Sequence, residues 1–160
     1  MVRVYICKFS EAEMFDDEKY LEYDFNNEVI KIKAKKTVRD GSDDDEEVLD
    51  IPYHFNYTKD EDMKKKSFTL YMKTLVKNTL KKMEEENVEE EQVKKFKTEM
   101  QNFMKFLLGK YDSIDVYMNE KPGDNYGHLG IGVYVDDADV VPTFYYIRRA
   151  LRDQKCWLID

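Results

Sequence analysis

The chain has 160 residues, of which 38% are charged, and carries a formal net charge of −8 with a sequence pI near 4.9. That length fits one domain, and 12 Tyr and 9 Phe argue against general disorder. The acidic balance excludes non-specific nucleic-acid binding, and no apolar run approaches the roughly 18 residues of a membrane span.

Val2, Val4 and Ile6 alternate with Arg3, Tyr5 and Cys7, which predicts a strand; the segment lacks the apolar core and cleavage site of a signal peptide. Ile30 and Ile32 alternate with lysines and predict a second strand. Arg39–Glu47 has no apolar residue and reads as a mobile acidic loop. Val48-Leu49-Asp50-Ile51 is a further short strand. Thr58-x-x-Glu61 has the spacing of a capping box and predicts a helix start. Phe68, Met72, Leu75, Val76, Leu80 and Met83 then recur every three or four residues, as do Val93, Phe96, Met100, Phe103, Met104, Leu107 and Leu108. Each set forms one helix face. Between them, Glu84–Glu86 and Glu89–Glu91 flank Asn87; this is the turn of an antiparallel hairpin, with the second trio at a helix N-terminus, where carboxylates are favoured. Gly109 is a helix stop.

Period-two alternation returns at Ile114–Met118 and Leu129–Val135, Pro122–Asn125 reads as a turn, and Phe144–Ile147 is an aromatic strand. One apolar face per strand predicts half-buried antiparallel strands. The expected architecture is α+β: one domain, 1–160, with a mostly antiparallel β body (1–58 and 111–160) and an inserted helical hairpin (59–110).

The residues hold little catalytic chemistry. No GxSxG, GxGxxG or phosphate-loop motif occurs. Cys7 and Cys156 have no CxxC partner and His54 and His128 lie 74 positions apart, which excludes a structural zinc site on ligand count. Cys7 reads as a small strand hydrophobe, and Cys156 as a tail thiol that permits a disulfide dimer of an otherwise monomeric chain. Asp43, Asp44, Asp45, Glu46 and Glu47 offer a weak calcium site, but Asp40-x-Ser42-x-Asp44 lacks the EF-hand glycine and closing glutamate; a solvated loop is the alternative. Asp136, Asp137 and Asp139 read the same way.

Charge is segregated. Residues 59–110 hold 13 lysines against 10 acids, a net of +3, leaving −11 for the remainder. Lys64, Lys65, Lys66, Lys73, Lys77, Lys81 and Lys82 run along the first helix; Lys94, Lys95 and Lys97 open the second. They form either a solvated outer face or a docking surface for an acidic partner. Of the eight methionines, Met72, Met83, Met100 and Met104 fall on the hairpin as core filler.

Several separated segments resemble the translationally controlled tumour protein family. Ala12-Glu13-Met14-Phe15-Asp16-Asp17 is similar to its "DEMFSD"-like start. Lys81-Lys82-Met83-Glu84-Glu85 and Val93-Lys94-Lys95-Phe96 are similar to the end and restart of its hairpin. Tyr111–Glu120 resembles its C-terminal signature, and Val141-Pro142-Thr143-Phe144 its last aromatic strand. Asn119 stands where the signature has glycine, the hairpin turn lacks a proline, and the acidic loop replaces the family's serine- and glycine-bearing loop signature.

The resemblance implies a β-tent with a protruding hairpin, a fold similar to a zinc-bearing accessory factor of Rab GTPases. It also implies a non-enzymatic, growth-associated cytoplasmic protein. Implied partners are a Ras-type small GTPase, through Glu13 and Glu120 with a third position near Tyr57, tubulin and microtubules, translation elongation factors and apoptosis regulators. Weak calcium binding and a guanine-nucleotide-exchange role belong to the same expectation. The tubulin face falls on the hairpin lysines between Lys64 and Lys97. The alternatives are a calcium-responsive or chaperone-like protein and an enzyme related by fold to methionine sulfoxide reductases using Cys7.

Overall fold

The computed structural model describes residues 2–41, 46–119 and 127–156. Eleven strands and three α-helices are assigned among them. The three-stranded sheet has the order β11–β1–β2, built from β11 (Leu151–Cys156), β1 (Val2–Cys7) and β2 (Glu13–Asp16). The six-stranded sheet has the order β3–β4–β10–β9–β8–β7: β3 (Glu22–Asp24), β4 (Val29–Lys33), β10 (Thr143–Ile147), β9 (Gly130–Val133), β8 (Ile114–Met118) and β7 (Thr58–Asp60). A small hairpin joins β5 (Lys36–Val38) to β6 (Glu47–Leu49) and leads into α1 (Asp50–His54). All these pairings are antiparallel.

Period two sorts the side chains into two cores. Phe144 and Tyr146 of β10, with Ile30 and Ile32 of β4, face the three-stranded sheet. Tyr145, Ile147 and Val29 face the helices. The central strands are therefore buried on both faces, not half-buried as the alternation suggested; tyrosine serves as an inward residue on either side. Gly130 and Gly132 make room in β9: a Cβ at Gly130 would sit 2.8 Å from the Tyr57 ring.

α2 (Lys65–Glu85) and α3 (Glu90–Gly109) form the predicted hairpin. Phe68, Met72, Leu75, Met83, Phe96, Met100, Phe103 and Leu107 are all buried beneath it. Burying each such side chain contributes roughly 1.5–3 kcal/mol. The turn is a Schellman arrangement: Asn87 is left-handed at φ 58, its N–H donates to the Glu84 carbonyl, and the Val88 N–H donates to the Met83 carbonyl. Glu90 and Glu91 occupy the first turn of α3 as expected.

Several local expectations are corrected. Thr58 does not cap α2; it lies in β7 opposite Met118, and α2 starts after Lys64 with no side-chain cap. Sheet pairing at that edge wins over the capping box. Val48–Ile51 is not all strand, because Asp50 starts α1, accepting N–H groups of Lys35 and Ile51 at 2.9 and 2.8 Å. The acidic loop is shorter than Arg39–Glu47: Glu47 pairs with Val38, and the Arg39 N–H donates to the Glu46 carbonyl. Gly109 does end α3 as expected, without a left-handed φ. Cys156 is no loose tail thiol; it is half-buried at the end of β11 opposite Val2. The Pro122–Asn125 turn lies outside the described residues.

Candidate functional site

Glu13 opens β2, next to a bulge in β1 where Ile6 pairs with it. It is exposed and lines a cleft of about 180 Å³ with Ile6, Ala12, Phe55 and Asn56. Glu120 lies outside the described residues. Its neighbour Asn119 does not: the Asn119 amide donates to the His128 carbonyl at 3.0 Å and lies 3.6 Å from the Met14 sulfur. The residue before Glu120 thus touches the residue after Glu13. The Asn119 side chain forms this link.

Behind Glu13, Tyr57 donates its hydroxyl proton to the Met14 carbonyl at 2.5 Å, so the Tyr146 hydroxyl, 2.9 Å away, donates to Tyr57. Burial raises both phenols well above their ordinary range, so the pair stays neutral and fixes the backbone of β2. Tyr57 also borders a groove of about 840 Å³ between the β5–β6 hairpin and β8, where the Arg39 guanidinium lies 5.8 Å from the centre of the Tyr53 ring.

Cys7 and His128, far apart in sequence, meet in the body. The contact uses the wrong atoms for catalysis. The Cys7 sulfur accepts the backbone N–H groups of His128 and Phe9 at 3.3 and 3.4 Å. The His128 ring is fully occupied: Nε2 accepts the Ile147 N–H at 2.8 Å, so Nδ1 carries the proton and donates to the Leu129 carbonyl at 2.6 Å. Burial lowers its pKa to about 4. Cys7 has no exposed surface, so a sulfur reaction there lacks access and a base.

The hairpin joins the body through the β3–β4 turn. Phe25, Asn26 and Asn27 all have positive φ (49, 56 and 67). Asparagine tolerates that region, and phenylalanine does so at a cost. The Phe25 ring lies 5.3 and 5.8 Å from Phe103 and Phe106, an aromatic contact that offsets the strain. Next comes Glu28, a fully buried carboxylate. Its Oε1 accepts from Arg149 at 2.9 Å with Arg148 at 3.7 Å, and its Oε2 faces the Lys95 ammonium at 3.4 Å. Oε2 has no hydrogen bond of good geometry, so Lys95 acts on it through charge. A second tie, Lys8 to Glu86 at 3.2 Å, holds the hairpin tip.

The predicted lysines do not behave alike. Lys95 turns inward to Glu28. Lys94 pairs with Glu90 at 3.6 Å and Lys82 with Glu85 at 3.9 Å. Lys64, Lys65, Lys66, Lys73, Lys77, Lys81 and Lys97 are exposed and, among the described residues, form no ion pair. In the acidic loop Glu46 pairs with Arg39 at 3.2 Å and Glu47 with Lys36 at 3.9 Å; Asp43, Asp44 and Asp45 lie outside the described residues. Asp136 and Asp139 cap the backbone of their own turn. Among the described residues no group of three metal-ligating side chains converges, and no helix is long and apolar enough to cross a membrane. Sequence reasoning missed Lys8, Phe25 and Glu28; Asn26-Asn27 signals a turn, but nothing local marks its partners.

A sheet covered on one face by a helical hairpin and on the other by a smaller sheet defines an α+β class that solved structures share. This chain is similar to the translationally controlled tumour-associated protein p23fyp of Schizosaccharomyces pombe, with a TM-score of 0.80 at 18% identity, covering 98% of this chain and 100% of that one. The Caenorhabditis elegans translationally-controlled tumor protein gives a TM-score of 0.73 at 24% identity, covering 99% and 100%. A family model described as translationally controlled tumour protein matches residues 2–152. The chain belongs to the translationally controlled tumour protein family. The homolog of Drosophila melanogaster is 34% identical over 93 residues, 58% of this chain and 52% of that protein, so the match spans about half the length of that relative. The homolog of Plasmodium chabaudi chabaudi is 26% identical over 175 residues, covering 96% and 99%.

Proposed function

We propose that the protein is a non-enzymatic cytoplasmic adaptor that docks an acidic protein surface, that of tubulin, on the outer face of its hairpin. The observation that carries this reading is the stripe Lys73, Lys77 and Lys81. The three lysines recur every four residues on one face of α2, are exposed, and form no ion pair among the described residues. Ammonium groups with no ion pair among the described residues can turn toward a partner's carboxylates without first breaking one, and they steer association. The engaged ring of His128 and the buried Cys7 sulfur support binding rather than catalysis.

Microtubule pelleting tests the reading. The triple variant Lys73→Glu/Lys77→Glu/Lys81→Glu should lose on the order of tenfold in apparent affinity, and pelleting equal to the parent would discard the face.

Contact with a Ras-type small GTPase is a second reading, supported by the contact of Asn119 with Met14, the sequence neighbour of Glu13. Release of a fluorescent nucleotide from such a GTPase should be changed by the protein and restored to the basal rate with Glu13→Ala/Glu120→Ala. Equal effects of parent and variant would remove this assignment. Weak calcium binding by Asp43–Glu47 is the least supported proposal, since the described acids Glu46 and Glu47 already face cations.

A further inference from the structure

Packing against the sheet closes the seam between α2 and α3 on one side only. Toward the body, Phe68, Met72, Leu75, Phe96, Met100 and Phe103 are covered. At 100° per residue, Lys77, Lys81 and Glu84 point away from that stripe. On their side, near the hairpin tip, the helices leave an open groove of about 1080 Å³. Leu80, Val88 and Val93 line it; each is half-buried and packs on the hairpin core from outside. Lys77 and Lys81 from α2 and Lys97 from α3 stand around this apolar strip, all three without an ion pair among the described residues.

We infer that this groove receives an acidic amphipathic helix of a partner protein. The inference rests on the hairpin being the docking element proposed above, but not on tubulin being the partner. The occupant's form follows from the backbone. Both walls are helices whose N–H and C=O groups are bonded internally, so an extended peptide finds no ladder to join. A helix satisfies its own backbone and lays side chains into the groove of an antiparallel pair, as in a three-helix bundle. The apolar strip calls for residues at three-and-four spacing on the partner. The unpaired ammonium groups on both walls call for carboxylates flanking that stripe. A flat anionic membrane fits less well, because the groove is concave and its apolar strip lies between the two helices.

The test is fluorescence anisotropy of the full chain with a synthetic helix of about 18 residues, carrying leucines at three-and-four spacing with glutamates on both flanks. The peptide should bind with micromolar Kd. Shuffling the leucines off one face, or replacing glutamate by lysine, should weaken binding about tenfold or more. On the protein, Lys97→Glu and the isosteric Val93→Thr should each weaken it about fivefold to tenfold; circular dichroism melts establish that both variants fold. Lys105→Glu, exposed on the same helix as Lys97 but outside the groove, should change it less than twofold. Equal binding of the shuffled peptide, indifference to Lys97→Glu, or no binding would overturn the inference. So would displacement of the peptide by anionic vesicles, or self-association abolished by Lys97→Glu, which would put a membrane or a second copy in the groove. Peptide binding without microtubule pelleting would keep the groove and discard tubulin. Pelleting without peptide binding would do the reverse.

Discussion

The β body and the hairpin junction bury polar groups in opposite ways. In the body they are mostly neutral and answered by backbone: His128 sits between the Ile147 N–H and the Leu129 carbonyl, Tyr57 and Tyr146 hydrogen-bond in series to the Met14 carbonyl, and even the charged exception, Asp50, accepts the backbone N–H groups of Lys35 and Ile51. At the junction a single carboxylate, Glu28, is buried among Lys95, Arg148 and Arg149. Neutral groups held by backbone fix where strands lie, with little left to chance by rotamers. A buried charge fixes a relation between elements distant in sequence, because removing either partner strands the other. The strands are set by hydrogen bonds; the hairpin is seated by apolar packing, to which the buried charge adds a specific tie.

Three changes would break or sharpen that contrast. Glu28→Ala should have the largest effect, about 3 kcal/mol of stability, at the low end of the range for a broken buried ion pair because the cations stay partly hydrated. Hydrogen exchange should quicken at the N-terminal turns of α3 before β9 and β10 respond; uniform quickening would show that the junction is not separately held. Next comes acid. His128 is neutral and buried with its pKa lowered to about 4, against about 6.5 in an unfolded chain. The unfolded chain therefore gains a proton first, and stability should fall as pH drops from about 6.5 to 4, by at most about 3 kcal/mol, then flatten for this group. Denaturant melts of the parent and His128→Gln across that window check it; parallel curves would exclude His128 as the source. The smallest effect is expected from Tyr146→Phe, about 1 kcal/mol, since Tyr57 keeps its own bond to Met14. A loss above about 3 kcal/mol in a urea melt would mean that the pair does more than the body's other neutral groups.

Legibility followed the range of the interactions. The hairpin was readable because its apolar period and acidic turn are local, and β1, β4, β8, β9 and β10 because alternation needs few residues. The strands β3, β5 and β7 have three residues each and mostly exposed side chains, so no apolar pattern announces them; only their partners make them strands. Among the site residues, the hairpin lysines were visible as a run, but not which of them are engaged. Lys95 looks like its neighbours until the β3–β4 turn places Glu28 beside it. Arg149 and Glu28 are 121 positions apart, and no reading of either segment alone pairs them.

The Glu28 junction has a geometric consequence for any complex. With Lys95, in the second turn of α3, held by Glu28 and Glu86 tied to Lys8 at the tip, the tip half of the hairpin has little room to swing against the body. The groove and the Glu13 cleft then behave as two marks on a ruler, a fixed distance and angle apart. A partner assembly whose two epitopes match that spacing gains a high effective concentration for the second contact, and one whose epitopes do not match gains none.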